Sequence, residues 1–218
     1  ANFSVPGSGK TTVVLSVYEK LRLEKQVNLI FVVGPPSCFG PWQHEFKSTL
    51  NRVPRVQKNS GNNSTKRKSS YYNVTNNGPE LYLTSFHSLY NDQTDAEIFF
   101  NNIENNIFLI IDEAHYIKQI GGVWANTILS LAKKSKFRCI LTGTPMPNKY
   151  TDLFNLFDFL WPHSTLIDEK TKITIEQYSS DKAKSDHCRA ILRDKISPFF
   201  YRVRKSDLGL IPAKFHPP

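Results

Sequence analysis

Two short stretches of this chain combine residue types in spacings suited to phosphate chemistry. The first is "SVPGSGKTT", residues 4–12. Gly9, Lys10 and Thr11 supply the end of the phosphate-loop pattern G-x-x-x-x-G-K-[ST], with Ser4 where the first glycine is usual. Gly7 and Gly9 let the backbone bend so that successive N–H groups converge on phosphate oxygens, and the helix that follows adds its positive N-terminus. Lys10 can then reach the β- and γ-phosphates, and the Thr11 hydroxyl can coordinate Mg²⁺. The second stretch is "FLIIDEAHYIKQ", residues 108–119, where an apolar run ends in Asp112 and Glu113 with His115 close behind. Adjacent carboxylates repel one another, and a bound cation relieves the repulsion. Asp112 is therefore a candidate holder of Mg²⁺ through its water shell, and Glu113 a candidate to orient or deprotonate an attacking water.

An acidic pair at a strand end is more often a solvated terminus than a site. What favours chemistry here is the architecture that has to carry both stretches. "VNLIFVVG" (27–34), "ELYLTSF" (80–86), "IFLIIDEA" (107–114) and "FRCILTG" (137–143) are near-continuous apolar runs, the pattern of strands covered on both faces. Helical candidates lie between and after them, at 11–25, 40–50, around 94–105, 123–135, 150–161 and around 181–195. This alternation predicts an α/β fold, a mainly parallel, doubly wound sheet with helices on both faces. Ligands of such sheets bind at the carboxyl edge, where both stretches would lie. The stretch 57–78, rich in Asn and Ser, is expected to be a long connection. Its basic run "TKRKSS" (65–70) suits a solvated loop and a phosphate contact equally well.

Composition narrows the classes. In 218 residues, the hydrophobic share of 39% and aromatic share of 12% suit a globular domain, and no apolar run reaches the length of a bilayer span. Lys and Arg outnumber Asp and Glu by 28 to 19, a formal charge of +9 that favours a polyanionic partner. Cys38, Cys139 and Cys188 show no disulfide or zinc spacing.

Beyond these arguments the chain resembles the superfamily-two helicases and, more narrowly, the Swi/Snf family of ATP-driven DNA translocases. The resemblance is carried by "PGSGKT", by "PPSCFGPWQHEF" (35–46), by "LYLTSFHSL" (81–89), by "DEAH" followed by "YIK", by "LTGTPMPNKYTDLFNLFDFL", and by "ISPFFYRVRKSDLGLIPAK" (196–214). It spans nearly the whole chain in the family's order. It implies a single RecA-like phosphate-loop lobe over residues 1–218 with a second helicase lobe outside it, and the abrupt start "ANFSV", running directly into the loop, is expected to mark a fragment with an upstream part outside it. Pro6, Gly7, Ser8, Gly9, Lys10, Thr11 and Thr12 would form the ATP-binding loop, with Thr11 and Asp112 serving Mg²⁺ and Lys10 and Glu113 catalysis. His115 would link the nucleotide to Thr142, Gly143 and Thr144. Pro36, Ser37, Thr84 and Ser85 would lie along a nucleic-acid backbone. Trp42, on a predicted amphipathic helix, is expected to pack rather than stack on a base. The implied partners are double-stranded DNA and the second lobe of the same polypeptide, with no membrane, in the nucleus of a eukaryote or the cytoplasm of a bacterium or a virus-infected cell. An RNA helicase, a restriction- or defence-type helicase, and a nucleotide-dependent scaffold that does not hydrolyse remain open alternatives.

Overall fold

The computed structural model describes residues 1–72, 78–146, 149–164, 166–178, 182–204 and 206–208. Strands β1 (Leu29–Val33), β2 (Val56–Asn59), β3 (Leu81–Thr84), β4 (Ile107–Asp112) and β5 (Phe137–Leu141) form a five-stranded sheet in the order β2-β3-β1-β4-β5, every pair parallel. Beside β5, the segment before the phosphate loop continues the sheet. Asn2 bridges Leu141 on one side and Tyr201 on the other, with Asn2 N–H donating to Ile140 O at 2.9 Å and Phe3 N–H to Tyr201 O at 2.7 Å.

Strand side chains alternate between faces, so the continuous apolar runs divide into two cores. Leu29, Phe31 and Val33 of β1 join Ile107, Leu109 and Ile111 of β4 on one face; Ile30 and Val32 join Phe108 and Ile110 on the other. Helices α1 (Lys10–Leu23) and α2 (Phe39–Leu50) cover the second face with Val14, Leu15, Tyr18, Trp42 and Phe46. Helices α4 (Phe86–Asn91), α5 (Gln93–Asn101), α6 (Val123–Ala132), α7 (Phe154–Leu160) and α9 (Ser185–Ile196) cover the first. The doubly wound sheet predicted from the alternating runs is the observed one.

Four elements fall where the sequence patterns predicted none, one being α4, directly after β3. β2 and α3 (Ser64–Ser70) occupy the stretch expected to be a connection, and α8 (Glu169–Tyr178) precedes α9. β2, "VQKN", is a polar edge strand held by the backbone ladder to β3. In α3 the run "TKRKSS" is anchored by Arg67, which is 7% exposed at its side chain and donates to both Asp92 oxygens, at 2.8 and 3.0 Å. A buried bidentate pair of this kind fixes α3 over the end of α4. Arg67 is thus committed to the fold, whereas Lys66 faces solvent. α8 is started by Asp168, whose carboxylate accepts from Thr171 N–H at 2.9 Å and from Lys195 of α9 at 2.6 Å. Among the described residues no helix is long and apolar enough to cross a membrane.

Candidate nucleotide site and nucleic-acid face

The carboxyl edge gathers the phosphate loop, the residues after β1, the end of β4 and the residues after β5. Gly7 (φ 77°) and Gly9 (φ 75°) take the left-handed conformation that glycine adopts without steric cost, and they turn the loop into α1. Lys10 opens that helix and donates to Ser4 O at 3.0 Å and Val5 O at 3.1 Å, so its ammonium lies against the loop. Ser8 Oγ is buried without a hydrogen-bond partner. Thr12 Oγ1 donates to Glu45 Oε1 of α2. An uncommitted hydroxyl beside a lysine ammonium at a helix N-terminus suits a phosphate acceptor.

At the end of β4 both oxygens of Asp112 are committed to donors. Glu113 N–H donates to Oδ1 at 2.9 Å, and the indole N–H of Trp42 donates to Oδ2 at 2.8 Å. A Cβ on Gly34 would lie 3.2 Å from Asp112 Cβ, so the absence of a side chain after β1 gives Asp112 its seat. Glu113 takes a left-handed backbone (φ 53°), sparsely populated by a non-glycine residue and typical of chemically active turns. Its carboxylate is 40% exposed and lies 3.2 Å from His115 Nδ1, without the alignment of a hydrogen bond. The His115 ring packs on Tyr116 at a centroid distance of 4.6 Å. Cys38 sits in the same neighbourhood, and its thiol is pushed up to about 12, first by burial and then by the negative field of Asp112 and Glu113.

After β5, Thr142 is buried and its N–H donates to Asn2 O at 3.2 Å, while its hydroxyl accepts from Thr144 N–H at 3.2 Å. A Cβ on Gly143 would come within 3.1 Å of Pro6 Cδ. Thr142, Gly143 and Thr144 therefore run directly beside the phosphate loop. The expected link through His115 is not made by a hydrogen bond to these residues among the described ones; their direct contacts are to Asn2 and Pro6.

The four residues expected along a nucleic acid differ. Pro36 and Ser37 are exposed in a 3₁₀ turn, Pro36–Cys38, that leads into α2. Ser85 is half-buried and caps α4, its hydroxyl accepting from Ser88 N–H at 3.1 Å. Thr84 is 1% exposed and its hydroxyl donates to Asn59 O at 3.0 Å, joining β3 to the end of β2. Its side chain has a structural task that withdraws it from the surface, and of the two hydroxyls only that of Ser85 is partly accessible. Pro147 and residues 209–214, part of two of the resembling stretches, lie outside the described residues.

Of three further residues at the candidate site, Gly34 carried no signal in the sequence, whereas Trp42 and Glu45 lie in the resembling stretch 35–46 without their hydrogen bonds to Asp112 and Thr12 being legible there. Trp42 does pack, being 1% exposed. A buried Trp still needs a partner for its N–H, and the i, i+3 spacing of Trp42 and Glu45 puts both on one face of α2.

A family model described as the SNF2-related domain matches residues 5–216. The chain belongs to that family. It is 30% identical over 203 residues to an uncharacterized ATP-dependent helicase of Mycoplasma pneumoniae, covering 92% of this chain and 18% of the relative. It is 28% identical to an ISWI chromatin-remodelling complex ATPase of Arabidopsis thaliana, covering 95% of this chain and 19% of the relative. Among solved structures it is similar to the Sulfolobus solfataricus SWI2/SNF2 ATPase core in complex with double-stranded DNA, with a TM-score of 0.74, 25% identity, and coverage of 97% of this chain and 41% of that one. The SNF2-related chain therefore has the RecA-like fold of such cores, and it spans about a fifth of the length of these curated relatives.

Proposed function

We propose that this chain is the ATP-binding lobe of a helicase-like ATPase that couples hydrolysis to movement along, or remodelling of, duplex DNA. The observation that carries the reading is the pairing across one sheet edge of a phosphate loop with an unpartnered Ser8 hydroxyl and an acidic strand end in which Asp112 is held at both oxygens. The donor chemistry fits ATP with Mg²⁺. Ser8, Lys10 and the N-terminus of α1 would hold phosphates, and Thr11 with Asp112 would hold the ion. Bound there, Mg²⁺ would neutralise charge on the phosphates. Glu113, exposed and held in a strained turn, would position the attacking water. Pro6 against Gly143 would carry a change in the loop toward residues 142–144, and Pro36 and Ser37 would face DNA phosphates, which position a duplex without reading its sequence.

The chain's match to about two-fifths of the DNA-bound SWI2/SNF2 core supports a second lobe in the whole polypeptide. Such a lobe supplies arginines that are worth roughly 10³–10⁵ in rate, so this lobe alone would turn over poorly. A protein of this kind works where DNA is, in the nucleus of a eukaryote or the cytoplasm of a bacterium. In the whole polypeptide, Glu113→Gln should lower DNA-stimulated ATP turnover by at least about 100-fold while leaving nucleotide binding in place. Turnover that survives the substitution overturns the role of Glu113, and stimulation by RNA in preference to duplex DNA overturns the choice of partner.

A further inference from the structure

The nucleotide reading accounts for the loop and the acids but not for what holds them in register. Asp112 and the phosphate loop belong to different segments, and the hydrogen bonds of Glu113 and Lys10 join each only to its own neighbours in sequence. α2 reaches both. Trp42 donates to Asp112 Oδ2 at 2.8 Å, and Glu45, three residues on, accepts from the Thr12 hydroxyl on α1. The same helix is led in by the exposed turn Pro36–Cys38. Trp42 itself is held in the core with Phe46 and Tyr18, so its N–H has little freedom to point elsewhere.

We propose that Trp42 is a positioning residue for the metal-binding carboxylate, and that α2 ties the phosphate loop to Asp112 through the pair Trp42 and Glu45. A carboxylate with one oxygen on a rigid indole N–H and the other on a backbone N–H is restricted in its rotamer, and its remaining lone pairs would be available to an ion's water shell. An outer hydrogen bond of this type orients a metal ligand, and its loss typically costs about 10- to 100-fold in metal affinity. Because the turn at Ser37 runs directly into the helix that carries Trp42 and Glu45, a displacement of that turn by a bound strand would reach Asp112 and Thr12 together.

The inference rests on the nucleotide reading, and the test separates the two. Trp42→Phe keeps an aromatic ring in the core and removes the donor together with part of the indole's buried volume. With a fluorescent ATP analogue, this variant of the 218-residue chain should need about 10- to 100-fold more Mg²⁺ for half-maximal binding, while its affinity for the analogue in EDTA stays at the wild-type value. Trp124→Phe should titrate as wild type. A Trp42→Phe titration that overlays wild type overturns the positioning role with the nucleotide site intact. A wild-type chain that binds the analogue neither with nor without Mg²⁺ overturns both. A readout free of nucleotide and of that variant's stability is the indole N–H resonance of Trp42 in the wild-type chain. It should move upfield in Asp112→Asn as a charge-assisted bond becomes a neutral one, and a resonance that stays in place overturns the bond on which the inference stands.

Discussion

The two edges of the sheet treat polar side chains in opposite ways. At the edge away from the site, Arg52 donates to both oxygens of Glu80 (2.5 and 2.6 Å) and to Glu19 (2.8 Å), Arg22 donates to Glu19 at 2.6 Å, and the Tyr18 hydroxyl donates to Glu80 at 2.8 Å. Apart from Arg52 Nε, these groups satisfy one another, and they join α1, the end of α2 and the start of β3. At the carboxyl edge, Ser8 Oγ has no partner, Glu113 and His115 face each other without a bond, and Lys10 rests on two loop carbonyls. A fold that pairs its charges so fully at one edge leaves polar groups uncommitted at the other, where the proposed nucleotide would take them up. Asp112 is the exception that sharpens the contrast, because at the open edge it alone is bonded at both oxygens.

The largest effect expected from breaking this contrast is at Lys10. Lys10→Ala should weaken binding of an ATP analogue by about 10- to 100-fold, the worth of roughly 1.5–3 kcal/mol for hydrogen bonds to a charged group. The denaturant midpoint of the chain should hardly move, since the ammonium serves only two loop carbonyls. An equally large drop in stability would show that Lys10 holds the loop up, and the edge would then resemble the opposite one. Arg52→Ala is the mirror experiment. It should cost about 1–3 kcal/mol by leaving Glu19 and Glu80 short of donors, with nucleotide affinity unchanged. Chemical denaturation and the binding titration, run on both variants, read the comparison directly.

Most of the fold and half of the site were legible in the residues. Buried parallel strands have to be apolar along their whole length, so β1, β3, β4 and β5 stand out, and the loop and acids at their ends are recognisable because the chemistry demands those residue types. β2 is polar because it lies at the edge, where the ladder rather than side-chain burial holds it, and so it carries no apolar signature. "TKRKSS" has the composition of a solvated loop, yet Arg67 is buried because Asp92, distant in sequence, meets it. The same applies to Trp42. Its spacing marks a packed face, but only the fold brings its N–H to Asp112. Thr84 shows the reverse: the resemblance places a hydroxyl on the surface, and the end of β2 claims it.

The smallest expected effect concerns pH. The Glu19 carboxyl is held down to about 2 from an ordinary 4.5, first by its hydrogen bond with Arg22 and, against some burial, by Arg52. With the folded value below the unfolded one, the charged carboxylate stabilises the fold fully above pH 4.5, and the contribution is lost as pH falls toward 2. Arg52→Ala removes part of the cause while leaving Arg22, so the variant should lose less stability than wild type between pH 5 and pH 3 in matched urea titrations, although it starts lower. Parallel pH profiles would mean that Arg22 alone sets the carboxyl, making the link to α2 and β3 dispensable for it. Lys10→Ala should follow the wild-type profile throughout, because its ammonium touches no group of that network.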